Sequence, residues 1–406
     1  MKQFTDKPLL VVSIVVVWLS HLLQVFVPET GFDALWYHLP VVKEILENKG
    51  LIYLPNLYQS VNPLFADLHF ALGFLIAGDF GTKAVAYLFG LSLIYVSYKL
   101  SRKFLNVFLS LLLVLLVSTF QVVAWQSASF YVDLAKAFFE LTALYFLYKF
   151  LFEKNGERNR DLIKAGLFFG ASLASKLFSL FLLPVYLLLI FVFSKKDKIK
   201  RALIFLFTSF LLPLPFYLFA YLKTSYPFYS FTIHLNNLGG IGGSSSIRMH
   251  LWSRFLKLPN SLFELFLTKD YISFIFIIFL PLIVYNYKQI FEKRNLFLLI
   301  FALSQYLLWW FLPPPSTRYA ISGFIILTLF YFNILSSFIK KHTQYYWPII
   351  ITIFLSILIN FAPRIIVNSR SLKYLTGEQN KQEYLEQFLD GWIDGSMKEW
   401  HFNSTP

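Results

Sequence analysis

Cysteine is absent from the 406 residues, which excludes disulfides, thiolate metal sites and cysteine nucleophiles together. Charge is scarce, at 14% of positions, where a soluble globular chain carries about 25%. Acidic charge is scarcer still: 22 Asp and Glu stand against 36 Lys and Arg, a formal net charge of +14. Nucleic acid is excluded as the main partner, because the cations fall in short clusters between apolar runs and form no single solvated face. What abounds is apolar. Hydrophobic types fill 57% of the chain, with 48 Phe, 24 Tyr and 9 Trp, more than a soluble core of this length buries. The composition is that of a membrane protein.

A bilayer core about 30 Å thick needs roughly 20 apolar residues per helix. Runs of that kind recur near 8–28, 81–98, 104–124, 132–151, 163–176, 178–194, 201–222, 271–287, 296–312, 319–339 and 345–361, so the expectation is an all-α polytopic protein with about 11 transmembrane helices. Lys2 and Lys7 before the first run give it the look of a signal sequence, but Val27-Pro28-Glu29 is a poor cleavage site, and an uncleaved first span is expected. Basic residues alternate between loops: Lys99, Arg102 and Lys103, then Lys149 to Lys164, Lys195 to Arg201, Lys288 to Arg294, and Lys340 with Lys341 share one side. By the positive-inside rule that side is the cytoplasm. The N-terminus then lies in the cytoplasm of an inner-membrane protein and the C-terminus outside. Residues 1–361 form one transmembrane domain with outer loops at 29–80 and 223–270, and 362–406 form a short extracytoplasmic tail.

In the first outer loop Val41, Val42, Ile45 and Leu46 recur at helical spacing, predicting a helix lying in the membrane interface. Asp33 and Tyr37 share a face on a helical turn, so a carboxylate and a phenol flank one cavity, unless Asp33 is an ordinary helix cap. Asp133 opens the fourth run, as a cap or as a functional anion. Lys136 and Glu140 extend that stripe into the membrane, as a cavity lining or as a structural pair. Lys176 ends the small-residue run Gly170 to Ser175 and fits a hairpin tip better than mid-bilayer, where a lone charge costs about 2.5–3.5 kcal/mol. Arg318, after Pro313-Pro314-Pro315, stands where a lipid phosphate lies, with snorkelling to phospholipid as the plainer alternative. His38, His69 and His234 match no metal spacing, and no Gly-x-Ser-x-Gly elbow supports a hydrolase.

The order of elements carries a resemblance. Phe32-Asp33-Ala34-Leu35-Trp36-Tyr37-His38-Leu39-Pro40 after the first span, Tyr131-Val132-Asp133-Leu134-Ala135 opening a later one, Gly170 to Lys176 before a Leu-rich span with Pro184, Tyr226-Pro227-Phe228-Tyr229, and Arg318-Tyr319 occur in sequence. The chain resembles the bacterial branch of the dolichyl-phosphate-mannose protein mannosyltransferase family, C-type glycosyltransferases of family 39 and relatives, over most of its length. The tail, Tyr374-Leu375 then Glu383-Tyr384-Leu385, is similar too. Many relatives have two adjacent acidic residues in the first loop where this chain has Asp33-Ala34, and an apolar residue where it has Lys136.

The resemblance implies transfer of a sugar from a polyprenyl phosphate to a protein, lipid or glycan acceptor at the non-cytoplasmic face, within membrane lipid. It implies Asp33 as the active-site acid. A hydroxyl acceptor is a weak nucleophile, so a carboxylate there can take its proton. Lys176 and Arg318 are expected to stabilise the departing phosphate, Asp133 to orient the acceptor or the surroundings of Asp33, and Tyr37, His38 and Tyr226 to bind substrate. No cofactor is required by this reading; a divalent metal stays an open alternative. A transporter or lipid flippase, or a surface-polysaccharide polymerase or ligase, is the competing class.

Overall fold

The computed structural model describes residues 7–153, 159–230, 232–233, 244–267, 272–312 and 316–389. These contain helices and no strand. In chain order the helices are α1 (Lys7–Leu23), α2 (Leu39–Glu47), α3 (Phe65–Ser101), α4 (Val107–Ser118), α5 (Gln121–Gln126), α6 (Asp133–Phe152), α7 (Asn159–Ser175), α8 (Leu183–Phe193), α9 (Lys198–Phe210) and α10 (Leu214–Thr224). They continue with α11 (Ser244–Leu256), α12 (Leu258–Leu267), the short α13 (Ile275–Ile278), α14 (Leu280–Tyr285) and α15 (Tyr287–Ile290), then α16 (Lys293–Phe311), α17 (Ile321–Lys341), α18 (Tyr346–Leu375) and α19 (Lys381–Leu389). The membrane character predicted from composition is visible in which side chains stay outside. On α1, Val11, Val12, Val15, Val16 and Leu19 are exposed while Leu10, Val17, Trp18 and His21 are buried. A helix apolar on both faces presents one to its neighbours and one to lipid.

Among the described residues five helices are long and apolar enough to cross a membrane, or six if α9 and α10, bent by 61°, are one span. That is fewer than the runs of apolar sequence predict, for two physical reasons. The bundle interior is polar where α6 carries Asp133, Lys136 and Glu140, and several runs are interrupted. Pro213 and Pro215 stand at the α9–α10 bend, as proline does where a helix ladder is broken. Lys176 leaves the helix at φ −156°, and a 3₁₀ stretch, Leu177–Leu182, leads into α8, so the break predicted at this lysine is present.

α3 is two helices joined by a turn. Ala77 and Gly78 have non-helical dihedrals, Gly78 at φ +55°, a conformation glycine adopts without strain. The half before the turn belongs to the segment 29–80 expected to be the first outer loop; the half after it is the second apolar run. The last long helix, α18, does not stop near 361. It continues through Pro363 to Leu375, and this extension is docked: Gln24 Nε2 donates to Asn368 Oδ1 at 2.9 Å and to Ser371 Oγ at 3.1 Å, while the buried Arg364 guanidinium donates to the carbonyl of Ala124. The first part of the expected tail, as far as Leu375, is therefore part of the helical body.

Helices α3, α4, α6, α7, α16 and α17 supply most of the main core. Inside it a polar network ties five elements together, α6, α16, α17 and the 3₁₀ stretches Leu177–Leu182 and Thr317–Ala320. Lys136 Nζ and Glu140 Oε1 are 2.9 Å apart with almost no exposure, and Glu140 also accepts from Ser179 at 3.0 Å, Gln305 at 3.2 Å and Ser322 at 2.5 Å. Lys136 Nζ donates to the carbonyl of Tyr319 at 2.9 Å. The structure thus resolves the alternatives for this pair in favour of a structural one, and its reach to Tyr319 fixes the residue beside Arg318.

Candidate active site

The site begins with a residue that the sequence did not single out. Glu29 is buried and accepts four hydrogen bonds: from the backbone N–H groups of Thr30 (2.9 Å), Gly31 (2.7 Å) and Phe130 (3.1 Å), and from Ser129 Oγ (2.7 Å). A carboxylate satisfied this way clamps two loops that lie 100 residues apart in sequence,. Gly31 is needed at the clamp, since a Cβ there would lie 2.6 Å from the Tyr131 ring. With the loops clamped, the Tyr131 hydroxyl accepts from the Asp33 N–H at 3.0 Å.

Residues Ala34–His38 then form a π-helical turn that runs into α2, the rare helix type that recurs at functional sites. Asp33 makes no capping hydrogen bond with its side chain. Its carboxylate points to Arg318 instead, with Nη1 2.6 Å from Oδ2, and Tyr37 donates to the same oxygen at 3.4 Å. The shared face predicted for Asp33 and Tyr37 is present. Asp133 makes the matching contact on the other side: Lys176 Nζ lies 2.5 Å from Oδ1, Arg318 Nε 3.9 Å from Oδ2, and Gln126 donates to Oδ2 at 3.3 Å. Two carboxylates and two cations so form one neutral cluster, with Arg318 bridging Asp33 and Asp133. Tyr319 and Tyr131 hold the cations from behind. Lys176 Nζ is 4.4 Å from the Tyr319 ring centre, and the Arg318 guanidinium is 5.1 Å from Tyr319 and 5.2 Å from Tyr131, distances at which a cation is attracted to a ring face.

The cluster faces a cavity of about 320 Å³ whose walls include Asp33, Tyr37, His38, Lys176, Arg318 and Tyr319, with Trp36, Leu177, Phe178 and Phe181 making an apolar side. Burial, and then the Asp33 carboxylate, hold the Tyr37 hydroxyl well above the ordinary tyrosine range, and Tyr131 is raised by the same two causes. Both phenols stay protonated at neutral pH, so Tyr37 is a fixed hydrogen-bond donor toward Asp33.

Six of the seven residues singled out from sequence meet here: Asp33, Tyr37, His38, Asp133, Lys176 and Arg318. Tyr226 does not. Ser225 adopts a left-handed backbone at φ +62° and ends α10, which turns Tyr226 outward to 62% exposure. The neighbouring residue that does reach the cavity wall is Ser230, which donates to the carbonyl of Tyr58 at 3.0 Å. His69 donates to its own helix at Phe65 O, 2.8 Å, and His234 lies outside the described residues. Among the described residues no three or more His, Asp and Glu side chains come together as a metal-ligand set, and Asp33 and Asp133 already have cationic partners.

Residues 61–219 match the family described as Dolichyl-phosphate-mannose-protein mannosyltransferase; Asp133 and Lys176 lie inside that match, Asp33 and Arg318 outside it. No curated protein sequence is significantly similar. Solved structures are. ArnT from Cupriavidus metallidurans, bound to undecaprenyl phosphate, superposes with a TM-score of 0.62 at 15% identity, over 81% of this chain and 60% of that one. The oligosaccharyltransferase AglB from Archaeoglobus fulgidus, in complex with an inhibitory peptide and a dolichol-phosphate, superposes with a TM-score of 0.56 at 14% identity, over 91% of this chain and 56% of that one. The chain therefore spans about 60% of the length of the solved structures it resembles. It is a multi-pass membrane protein with the C-type glycosyltransferase fold, and its residues 61–219 match the dolichyl-phosphate-mannose-protein mannosyltransferase family.

Proposed function

We propose that this protein transfers a sugar from a polyprenyl-phosphate-linked donor to a hydroxyl or similar acceptor at the extracytoplasmic face of the membrane, with Asp33 as the base. The observation that carries this reading is the pair of cations, Lys176 and Arg318, held on the wall of a partly apolar cavity by two carboxylates. A lysine and a guanidinium so placed suit a lipid-linked phosphate. The polyprenyl phosphates bound by ArnT and AglB support the same ligand class.

The chemistry follows from an exchange of partners. As the donor phosphate takes Arg318 and Lys176, Asp33 loses its cation and becomes a better proton acceptor. The acceptor oxygen attacks the anomeric carbon and the bond from that carbon to the phosphate oxygen breaks. Its electron pair stays on the phosphate, where Lys176 and Arg318 stabilise the added charge. The acceptor's proton passes to Asp33. Tyr37 donates to the carboxylate and keeps it aimed, Asp133 anchors Lys176, and charge neutralisation by the two cations uses no metal.

Purified protein given a panel of radiolabelled polyprenyl-phosphate sugars with membrane extract as acceptor source tests the reading. Release of polyprenyl phosphate from one donor, with label moving to an acceptor, is the expected result; a panel left wholly unconsumed would overturn it. The face of the membrane is tested separately, and the lack of native cysteine makes this simple. Cysteine at Asn56, exposed in the first loop, should be labelled in intact cells by an impermeant thiol reagent, and cysteine at Lys196, exposed between α8 and α9, should not. The opposite pattern would place the site at the cytoplasmic face.

A further inference from the structure

His38 and Asp67 are both buried, at 3% and 2% exposure, and meet with Nδ1 2.6 Å from Oδ1. Asp67 comes from the first turn of α3 and His38 from the end of the π-helical turn, so two elements of the first loop converge on this contact. An ionised carboxylate only accepts hydrogen bonds, so Nδ1 carries the proton of this contact, and in the neutral imidazole that tautomer makes Nε2 an acceptor. Nε2 is buried and has no hydrogen-bond partner. Both residues line the cavity that holds Lys176 and Arg318, and the imidazole lies with its centre 4.1 Å from that of the Tyr37 ring, tilted by 40°, against the residue that donates to Asp33.

Buried polar atoms are almost always paired, and an unpaired acceptor costs about 1–3 kcal/mol. An unpaired acceptor on a residue that lines a cavity is therefore a place for a donor brought by the ligand. The donors that a phosphate-linked sugar carries into such a cavity are its hydroxyls. Two buried acceptors on residues that line this cavity have no partner, His38 Nε2 and Gln59 Oε1, and of the two the imidazole is the one fixed in orientation, by its contact with Asp67.

We propose that His38 Nε2 accepts a hydrogen bond from a hydroxyl of the transferred sugar, and that Asp67 is the positioning residue that fixes the imidazole tautomer. This deepens the donor reading given above and rests on it.

Equilibrium binding in detergent or nanodiscs tests it without needing an acceptor. The probes are bare polyprenyl phosphate and its mannosyl, glucosyl and arabinosyl forms. Wild type should bind one sugar-bearing lipid at least about tenfold more tightly than the bare lipid, the equivalent of roughly 1.4 kcal/mol. The variant of choice is His38→Phe with Asp67→Leu, which keeps a ring against Tyr37 and strands no buried carboxylate. It should lose that preference while binding the bare lipid as wild type does. A preference that survives in the double variant, or a loss of affinity for the bare lipid equal to the loss for the sugar form, would overturn the proposal. Monodeoxy analogues of the preferred sugar give a reading on wild type alone. One of them should bind about tenfold more weakly than the parent, whereas a full series binding like the parent would overturn it. Wild type that binds no polyprenyl phosphate at all would instead overturn the donor reading itself.

Discussion

Asp33→Asn should lower the turnover of sugar transfer by about 10²–10⁴-fold, the usual worth of a general base, while the KM for the lipid-linked donor stays the same or falls. The split between the two parameters is what makes the result informative. Asp33 lies 2.6 Å from Arg318, so under the proposed function it would compete with the donor phosphate for that cation; an amide would compete less well and would not weaken donor binding. If Asp33 served only to hold Arg318 in place, its loss would raise KM and leave turnover near native. A capping role is already set aside by the geometry, because the side chain makes no capping bond. An Asn variant with near-native turnover would move the base to another group of the cluster or the cavity wall, and Asp133→Asn and His38→Gln would then be compared beside it.

Glu140→Leu should destabilise the protein by about 3–5 kcal/mol, the cost of stranding one member of a buried ion pair. Lys136 would be left without its carboxylate, with Nζ held only by the carbonyl of Tyr319, and Ser179, Gln305 and Ser322 would each lose an acceptor. Thermal unfolding in detergent measures the effect. Because Tyr319 lies next to Arg318, the folded fraction should also bind donor less well. Removing both charges, with Lys136→Met and Glu140→Leu together, should recover a good part of the loss. A melting temperature unmoved by Glu140→Leu would show that the network holds nothing together.

Much of the site could be read along the chain because its charges break a local pattern. Asp33, Asp133, Lys176 and Arg318 stand out in the sequence as ionisable residues at the ends of apolar runs, where a charge is costly unless it has a task. The Lys136–Glu140 pair was legible through its i,i+4 spacing. What the spacing could not give was the rest of the network, since Gln305 and Ser322 reach Glu140 from 165 and 182 residues away. Glu29 and Asp67 were invisible for the same reason. Their partners lie across the fold or across the first loop, and nothing local distinguishes them from surface carboxylates. The placement of Tyr226 was not legible either: its motif is distinctive, but the left-handed residue before it, Ser225, precedes a side chain that stands exposed, away from the cavity. Helices that bend, stop short or double back at Gly78 are features that a hydropathy pattern averages away.

The central claim is that Lys176 and Arg318 recognise the phosphate of a polyprenyl-linked donor. The most direct measurement of it compares binding of polyprenyl phosphate with that of the uncharged polyprenol, in wild type and in Arg318→Gln. Wild type should prefer the phosphate, and Arg318→Gln should weaken phosphate binding by roughly ten- to a hundredfold, since a hydrogen bond to a charged group contributes about 1.5–3 kcal/mol, with polyprenol binding unchanged. Equal binding of phosphate and alcohol by wild type, or phosphate affinity untouched in the variant, would contradict the claim.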